Sequence, residues 1–586
     1  MVKRALAIRT RTLRFITLTL AGLVVVSSAW VFPNFETAQI RWADGSTEID
    51  QWPWITGGDA QRGRFFLKTS VNLSFLHPRK FLIVADDELR EVEVNGQTVG
   101  NAGMPIKFDQ FHPALLDLGS GLRLGANEIN FEMANLDGPA GLRIHVHPLD
   151  PLCLAWTVAL ISLAGSGTLL LSRAHPGTLG GWCGGVLFTG IALRILYWVA
   201  TPYYLRAYDW GGHLQFLRYV AEHLALPPAD HGWETHQPPL YYMLGGLWMR
   251  LTGQTTCSWL YGQWSAFALV LSVSSLVVGT LIGQKLFPNR MEPRVSFLAI
   301  LACFPALVFY SARISNDTLF AFLSLLWLWL LLKWWESPSW RTWFLVVGCV
   351  GVAFLVKNGA LVLAGATVLC AAIRLRSIIP TVKAVSILAS AVVLFSGWYQ
   401  IPRALSASDP SSFVIGKYHL LEEELRVGGS LPNMLIFNPI AVLQIPFNHP
   451  WIDDYRRQFF PEYFFKSALF GEWAWGRHLL FPARLLVLAA FILMIVAVLG
   501  LLTAIRDRYW ASWPLVIASA SMVAAQAAYV MKEPFSCNQD FRFFVALTIP
   551  LAAFAALGAS RLPGGNLVIA LFCAASASFL IPLLYA

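Results

Sequence analysis

Residues 480–503 read LFPARLLVLAAFILMIVAVLGLLT, and Arg506 and Arg508 follow closely. A helix that crosses a bilayer needs about 20 mostly apolar residues. This run supplies them and ends in basic residues. The same grammar recurs on either side of it. Comparable runs lie at 152–171, 180–200, 258–282, 295–312, 318–334, 342–356, 359–373, 384–401, 511–530, 543–560 and 565–585. An earlier run, Leu13 to Phe32, follows Lys3, Arg4, Arg9, Arg11 and Arg14. It exceeds the apolar core of a secretory signal and reads as an uncleaved anchor. The fold class expected is a polytopic all-α membrane protein with about 13 transmembrane helices.

Composition agrees. Of 586 residues only 13% are charged and 56% are hydrophobic, and the net charge is +9. Soluble domains carry roughly 25% charged residues, so a disordered chain is excluded and a purely soluble one disfavoured. The basic residues sit in short clusters between apolar runs. That distribution orients a membrane protein and gives no sign of nucleic acid as a partner. Alternate threading puts Arg173, Lys285, Arg290, Arg294, Lys333, Arg341, Arg374, Arg376, Lys383, Arg506, Arg508 and Arg561 inside. The N-terminus then lies inside and the C-terminus outside. The outer segments are 34–149, 201–257 and 402–479, with short turns at 313–317 and 532–542. The domains expected are an anchor over 1–33, an extracytoplasmic unit over 34–150, and a membrane domain over 151–586.

From Arg64 to His147 the hydrophobic period falls to two. Stretches from Phe81, Leu89, Glu128 and Leu142 read as strands, and Asn95-Gly96 is a strong hairpin signal because both turn residues must accept positive φ. Several short strands so spaced predict an antiparallel β-sandwich. The runs Ala85-Asp-Asp-Glu-Leu-Arg-Glu-Val-Glu-Val-Asn-Gly and Leu124-Gly-Ala-Asn-Glu-Ile resemble galactose-binding-like jelly rolls found beside carbohydrate enzymes. Two readings follow for this inserted unit: a scaffold packed on the membrane part, or a sugar-binding accessory. Cys257 and Cys537 both fall on the outer side, a candidate disulfide in an oxidising compartment. The other cysteines lie in the spans and read as inert core thiols.

Chemistry-bearing residues gather in the outer segments. Tyr208-Asp-Trp-Gly-Gly-His leads into a helical stretch, and Glu234-Thr-His-Gln-Pro-Pro-Leu-Tyr-Tyr follows. Asp209 and His213, at i and i+4, share a helix face; Asp209 can equally be a helix N-cap. The order Tyr-Asp-x-x-Gly-His, helix, Leu-Pro, Gln-Pro-Pro-Leu-Tyr-Tyr resembles the polytopic GT-C glycosyltransferases, among them protein O-mannosyltransferases and lipid A aminoarabinose transferases. Ser315-Asn-Asp-Thr-Leu, Leu355-Val-Lys-Asn-Gly-Ala-Leu, Phe465-Lys-Ser-Ala-Leu-Phe-Gly-Glu-Trp and Gln539-Asp-Phe-Arg-Phe-Phe continue the resemblance in order, over roughly 180–560. Many relatives carry Asp-Glu or His-Pro-Pro where this chain has Asp209-Trp210 and Gln237-Pro238, and the inserted sandwich is atypical. The resemblance therefore does not carry over the sugar or the acceptor.

It does imply a sugar donor linked to a polyprenyl phosphate in the lipid bilayer. A glycan, lipid or protein would be the acceptor, at the outer, periplasmic face of a bacterial cytoplasmic membrane. By the resemblance Asp209 is the catalytic base, and one carboxylate with in-line displacement implies inversion. Lys357 and Arg542, at outer ends of spans, are the candidate phosphate ligands. The alternative reading of Lys357 is snorkelling to the interface, and that of Arg542 is a pair with Asp540. His213, Glu234, His236, Asp317, Glu472 and Asp540 are candidate substrate-binding or supporting groups. Asp209, His213 and His236 are also a candidate set for a divalent metal ion. Asn316-Asp317 read as the cap of the following helix. Two other classes compete: a secondary transporter, against which the ionisable residues gather at the outer face rather than the midplane, and a non-catalytic glycan-binding or assembly protein.

Overall fold

The computed structural model describes residues 34–582 apart from 36–37, 51–53, 56–60, 74–76, 100–104, 108–113, 137–139, 176–179, 202–204, 208, 229–231, 233, 252–257, 407–422, 474 and 508. The run Leu13 to Phe32, Tyr208 and Cys257, and with Cys257 the disulfide candidate, lie outside the described residues.

The N-terminal part is antiparallel β-structure. The longest strands are β5 (Gly63–Leu73) and β11 (Gly125–Asn135), paired along their full length. With β2 (Ala38–Arg41), β3 (Thr47–Asp50), β7 (Glu88–Val94) and β8 (Gln97–Thr98) they form a sheet of order β3-β2-β5-β11-β7-β8, to which β1 (Asn34–Phe35) adds beside β5 and β9 (Ile106–Lys107) beside β7. A second sheet runs β10-β6-β12-β4, from Ala114–Asp117, Lys80–Ala85, Gly141–Val146 and Trp54–Ile55. Period-two burial drives the pairing. Phe65, Leu67 and Val71 of β5 and Ile129, Phe131 and Met133 of β11 are buried, as are Phe81 and Ile83 of β6 and Leu142 and Ile144 of β12. Burying such a side chain contributes about 1.5–3 kcal/mol, so the alternation specifies the register. Asn95 (φ 53°) and Gly96 (φ 78°) form the β7–β8 turn. Residues 34–149 expressed alone are expected to give a β-rich circular dichroism spectrum; a helical one would overturn the separate-domain reading.

Asp150 joins the two parts. Its Oδ1 accepts from Leu152 N (3.0 Å) at the start of helix Pro151–Ala174, and its Oδ2 accepts from Arg79 N (2.8 Å) and Lys80 N (3.1 Å) at the start of β6. Among the described residues, the apolar runs marked from Pro151 onward coincide with helical structure. Among the described residues 8 helices are long and apolar enough to cross a membrane, and Trp340–Phe354, Ala360–Leu375 and Gly565–Leu580 are shorter apolar helices.

Among the described residues, the runs 295–312 and 543–560 are interrupted within their length. The run 295–312 breaks at Phe304 (φ −66°, ψ 118°), because Pro305 excludes the α-conformation from the residue before it. The run 543–560 opens as the 3₁₀ segment Phe541–Leu547, kinked at Phe544, before Thr548–Ala559. Helices Leu480–Arg506 and Thr548–Ala559 approach at Gly500 and Gly558, where an added Cβ would lie 1.8 Å from Phe554 O and 2.1 Å from Val496 O. Buried Arg194 pins three helices through Ser272 Oγ (3.0 Å) and the carbonyls of Gly190, Leu301 and Ala302.

Candidate active site

Several helix ends converge on one charged cluster. Asp209 occupies the N-cap position of helix Trp210–His223, but its side chain makes no capping bond. Its Oδ2 instead accepts from Arg542 Nη1 at 2.7 Å. Arg542 is held in the first turn of Phe541–Leu547, where Asp540 Oδ1 accepts from its backbone N–H (3.1 Å) and Tyr310 donates to its carbonyl (2.8 Å). Arg542 Nε lies 3.6 Å from Asp540 Oδ2 and 4.0 Å from Asp317 Oδ2. The contact with Asp540 is thus real, but the shorter pair is with Asp209.

Asp317 is also ion-paired with Lys357, whose ammonium stands 4.5 Å from the Phe543 ring centre. Lys357 lies in the turn between Trp340–Phe354 and Ala360–Leu375. The ion pair directs its ammonium into the protein cluster, where a snorkelling lysine would turn to the interface. The cap of helix Asn316–Glu336 differs from the expectation of Asn316-Asp317. Ser315 fills it, accepting from Asp317 N at 3.1 Å, because only its backbone is extended ahead of the helix. Asn316 is buried and donates to Gln237 Oε1 (3.2 Å) and Val356 O (3.0 Å). Tyr399 donates to Gln237 O (2.6 Å), so the Gln-Pro-Pro segment is a structural junction behind the cluster.

His213 is buried, with Nδ1 2.8 Å from the Tyr242 hydroxyl and 4.0 Å from Glu234 Oε2. Glu234 Oε2 is buried without a hydrogen-bond partner. His236 meets Gln237 Nε2 at 3.0 Å. The set Asp209, His213 and His236 therefore does not come together as ligands, and no group of three His, Cys, Asp or Glu among the described residues is arranged to hold a metal ion. Glu472 is buried just beyond helix Phe460–Phe470 and interacts with Asp540, Arg542 and Asp209.

The sequence reading did not single out Arg313 or Trp473. Arg313 lies 4.7 Å over the Trp473 ring, and its charge acts on Asp209 and Glu472. The signal available was an arginine at the edge of a short connection between apolar runs, two residues before Ser315-Asn-Asp. Arg313 Nε, Trp473 Nε1, Asp540 Oδ2 and Arg542 Nε are buried without hydrogen-bond partners. Such atoms cost about 1–3 kcal/mol each unless something polar meets them, which marks this cluster as a place for a polar ligand.

Burial raises the Asp209 carboxyl, but Arg542, His213 and Arg313 outweigh it and hold the group below the usual aspartate range. Glu234 goes the other way: burial lifts it to about 7, with His213 opposing and Asp209 adding to the rise. Burial, reinforced by Asp540, likewise pushes Glu472 well up. A carboxyl raised on folding stabilises the fold fully below its ordinary range, and that contribution is lost as pH rises through its folded value. Stability is therefore expected to fall as pH rises from the ordinary glutamate range to about 7 and to level off above it. Glu234→Gln should flatten that slope. Melting curves across this range test it; an unchanged slope in Glu234→Gln removes the assignment.

Residues 236–399 match the dolichyl-phosphate-mannose-protein mannosyltransferase family. Over this stretch the chain is similar to that family, and its apolar helices are those of a multi-pass membrane protein. The matched stretch contains His236, Asp317 and Lys357; Asp209 precedes it, and Glu472, Asp540 and Arg542 follow. Solved structures similar to it include the Archaeoglobus fulgidus oligosaccharyltransferase, at 12% identity and TM-score 0.38, over 64% of this chain and 50% of that one. Arabinosyltransferase EmbB from Mycobacterium smegmatis is 13% identical at TM-score 0.33, over 93% of this chain and 53% of that one. The chain spans about half the length of each. The comparison with curated proteins finds no match.

Proposed function

We propose that this protein transfers a sugar from a polyprenyl-phosphate donor to an acceptor hydroxyl at the outer face of the bacterial cytoplasmic membrane, inverting the anomeric carbon. The observation that carries this reading is the 2.7 Å contact between Asp209 and Arg542, beside the Asp317–Lys357 pair. A carboxylate and two cations are what such a transfer needs. The acceptor oxygen bonds to the anomeric carbon while the bond from that carbon to phosphate oxygen breaks. The acceptor proton goes to Asp209. The electron pair leaves with the polyprenyl phosphate, whose charge Arg542 and Lys357 stabilise.

The ion pairs give this order of events a physical basis. Arg542 holds Asp209 below the usual range, which makes it a weak base. A donor phosphate competes for Arg542, frees the carboxylate and makes it a stronger base once substrate is present. The matching family, described by a dolichyl-phosphate sugar donor, supports a lipid-phosphate donor.

The test is reconstitution in nanodiscs with polyprenyl-phosphate sugars, paired with mass analysis of surface glycans with and without the gene. The expected result is loss of one sugar from a glycan and accumulation of its polyprenyl-phosphate form. Identical glycans and unchanged lipid-linked sugars in both strains would overturn the reading.

A further inference from the structure

The second sheet of the sandwich is covered on both faces. On β6, Leu82 and Val84 are buried along with Phe81 and Ile83, although antiparallel sheets commonly leave one face to water. The register sets His145 opposite Leu82 and Arg143 opposite Val84, so these four side chains share the second face. Val199 and Trp210 lie against it. His145 hydrogen-bonds the Val199 backbone, and the Arg143 guanidinium stands 5.5 Å from the Trp210 ring centre. Asp86 on the sandwich interacts electrostatically with Arg143.

Trp210 is the first residue of its helix and the neighbour of Asp209. The Asp209 side chain makes no capping bond, so the helix N-terminus does not orient the carboxylate. Its direction is left to the pull of Arg542 and to where the backbone at Trp210 is held. On the membrane-domain side the connection that ends at Trp210 is held by Arg206, 4.5 Å over the Trp475 ring. On the sandwich side it is fixed by Arg143 and His145, and Asp150 ties the sandwich to the first membrane helix.

We propose that the β-sandwich positions the Asp209 carboxylate, with Arg143 as the positioning residue acting through Trp210. This rests on the reading of Asp209 as the base. It explains why a sandwich is inserted just before the membrane core: its rigid sheet fixes one side of a loop whose other side is fixed by the membrane helices. A cation over an indole face is a directional contact, so it restrains the tryptophan ring as well as burying it.

The experiment is a kinetic cycle on full-length protein in nanodiscs with polyprenyl-phosphate sugar. Arg143→Leu keeps the stem and removes the cation. It should lower kcat by about 10- to 100-fold, the scale of a small misplacement of a reacting group, with donor KM unchanged. Arg143→Lys, which keeps a cation over the ring, should recover most of the rate. In an Asp209→Asn background Arg143→Leu should cost nothing further, because both changes act on one group; a merely structural role would add its loss in full. Full kcat in Arg143→Leu beside an impaired Asp209→Asn overturns the positioning role alone, as does a fully additive double variant. Full turnover by Asp209→Asn overturns the reading of the base itself.

Discussion

Asp209→Asn is expected to lower sugar transfer by about 10²–10⁴-fold, the usual contribution of general-base assistance, in a protein that still folds and binds donor. Asparagine keeps the size of the side chain and an oxygen that can accept from Arg542, but it cannot take the acceptor's proton. A capping role predicts the reverse, since asparagine caps about as well as aspartate, and would make this change silent while Asp209→Ala lost stability. The absent capping bond and the 2.7 Å contact with Arg542 argue against a capping role. Transfer rates in nanodiscs and melting curves on the same preparations separate the two. Full turnover by Asp209→Asn would leave the motif as helix punctuation.

Arg542→Ala has the other large expected effect, on stability and donor use together. It removes the cation facing Asp209 at 2.7 Å, Asp540 at 3.6 Å and Asp317 at 4.0 Å. Breaking a buried pair costs about 3–5 kcal/mol because the partner charge is left uncompensated. Partly exposed Asp209 recovers some of that from water and Asp317 keeps its pair with Lys357, so the figure is an upper bound; buried Asp540 has neither. Arg542→Lys should restore much of the stability yet remain poor with donor, because a point charge lacks the guanidinium fork. Adding Asp209→Asn to Arg542→Ala should regain stability without activity, since it removes one of the orphaned carboxylates. Donor kinetics and melting in detergent supply both readouts. Wild-type donor kinetics in Arg542→Ala and Lys357→Ala would take these residues out of the site.

The helices, the strands and the Asn95-Gly96 turn were legible from residue order because each follows from local pattern. A membrane helix is declared by its own apolar run, and a half-buried strand by alternation. The breaks at Phe304 and Phe544 show where that reading is too coarse, since a mean apolarity cannot register one proline or one kink. Candidate residues were legible as types in the segments between apolar runs, but their partners were not. Asp209 and Arg542 are 333 positions apart, and a charge carries no local sign of which distant charge it will meet. Only the packing of helix ends decided that Lys357 would pair with Asp317, that Ser315 would cap, and that Arg313 would stack on Trp473 beside the cluster. The docking of Arg143 on Trp210 belongs to the same class. Alternation fixes which face of β12 carries Arg143, but the neighbour across that face is set by how two separately patterned parts of the chain are placed in space.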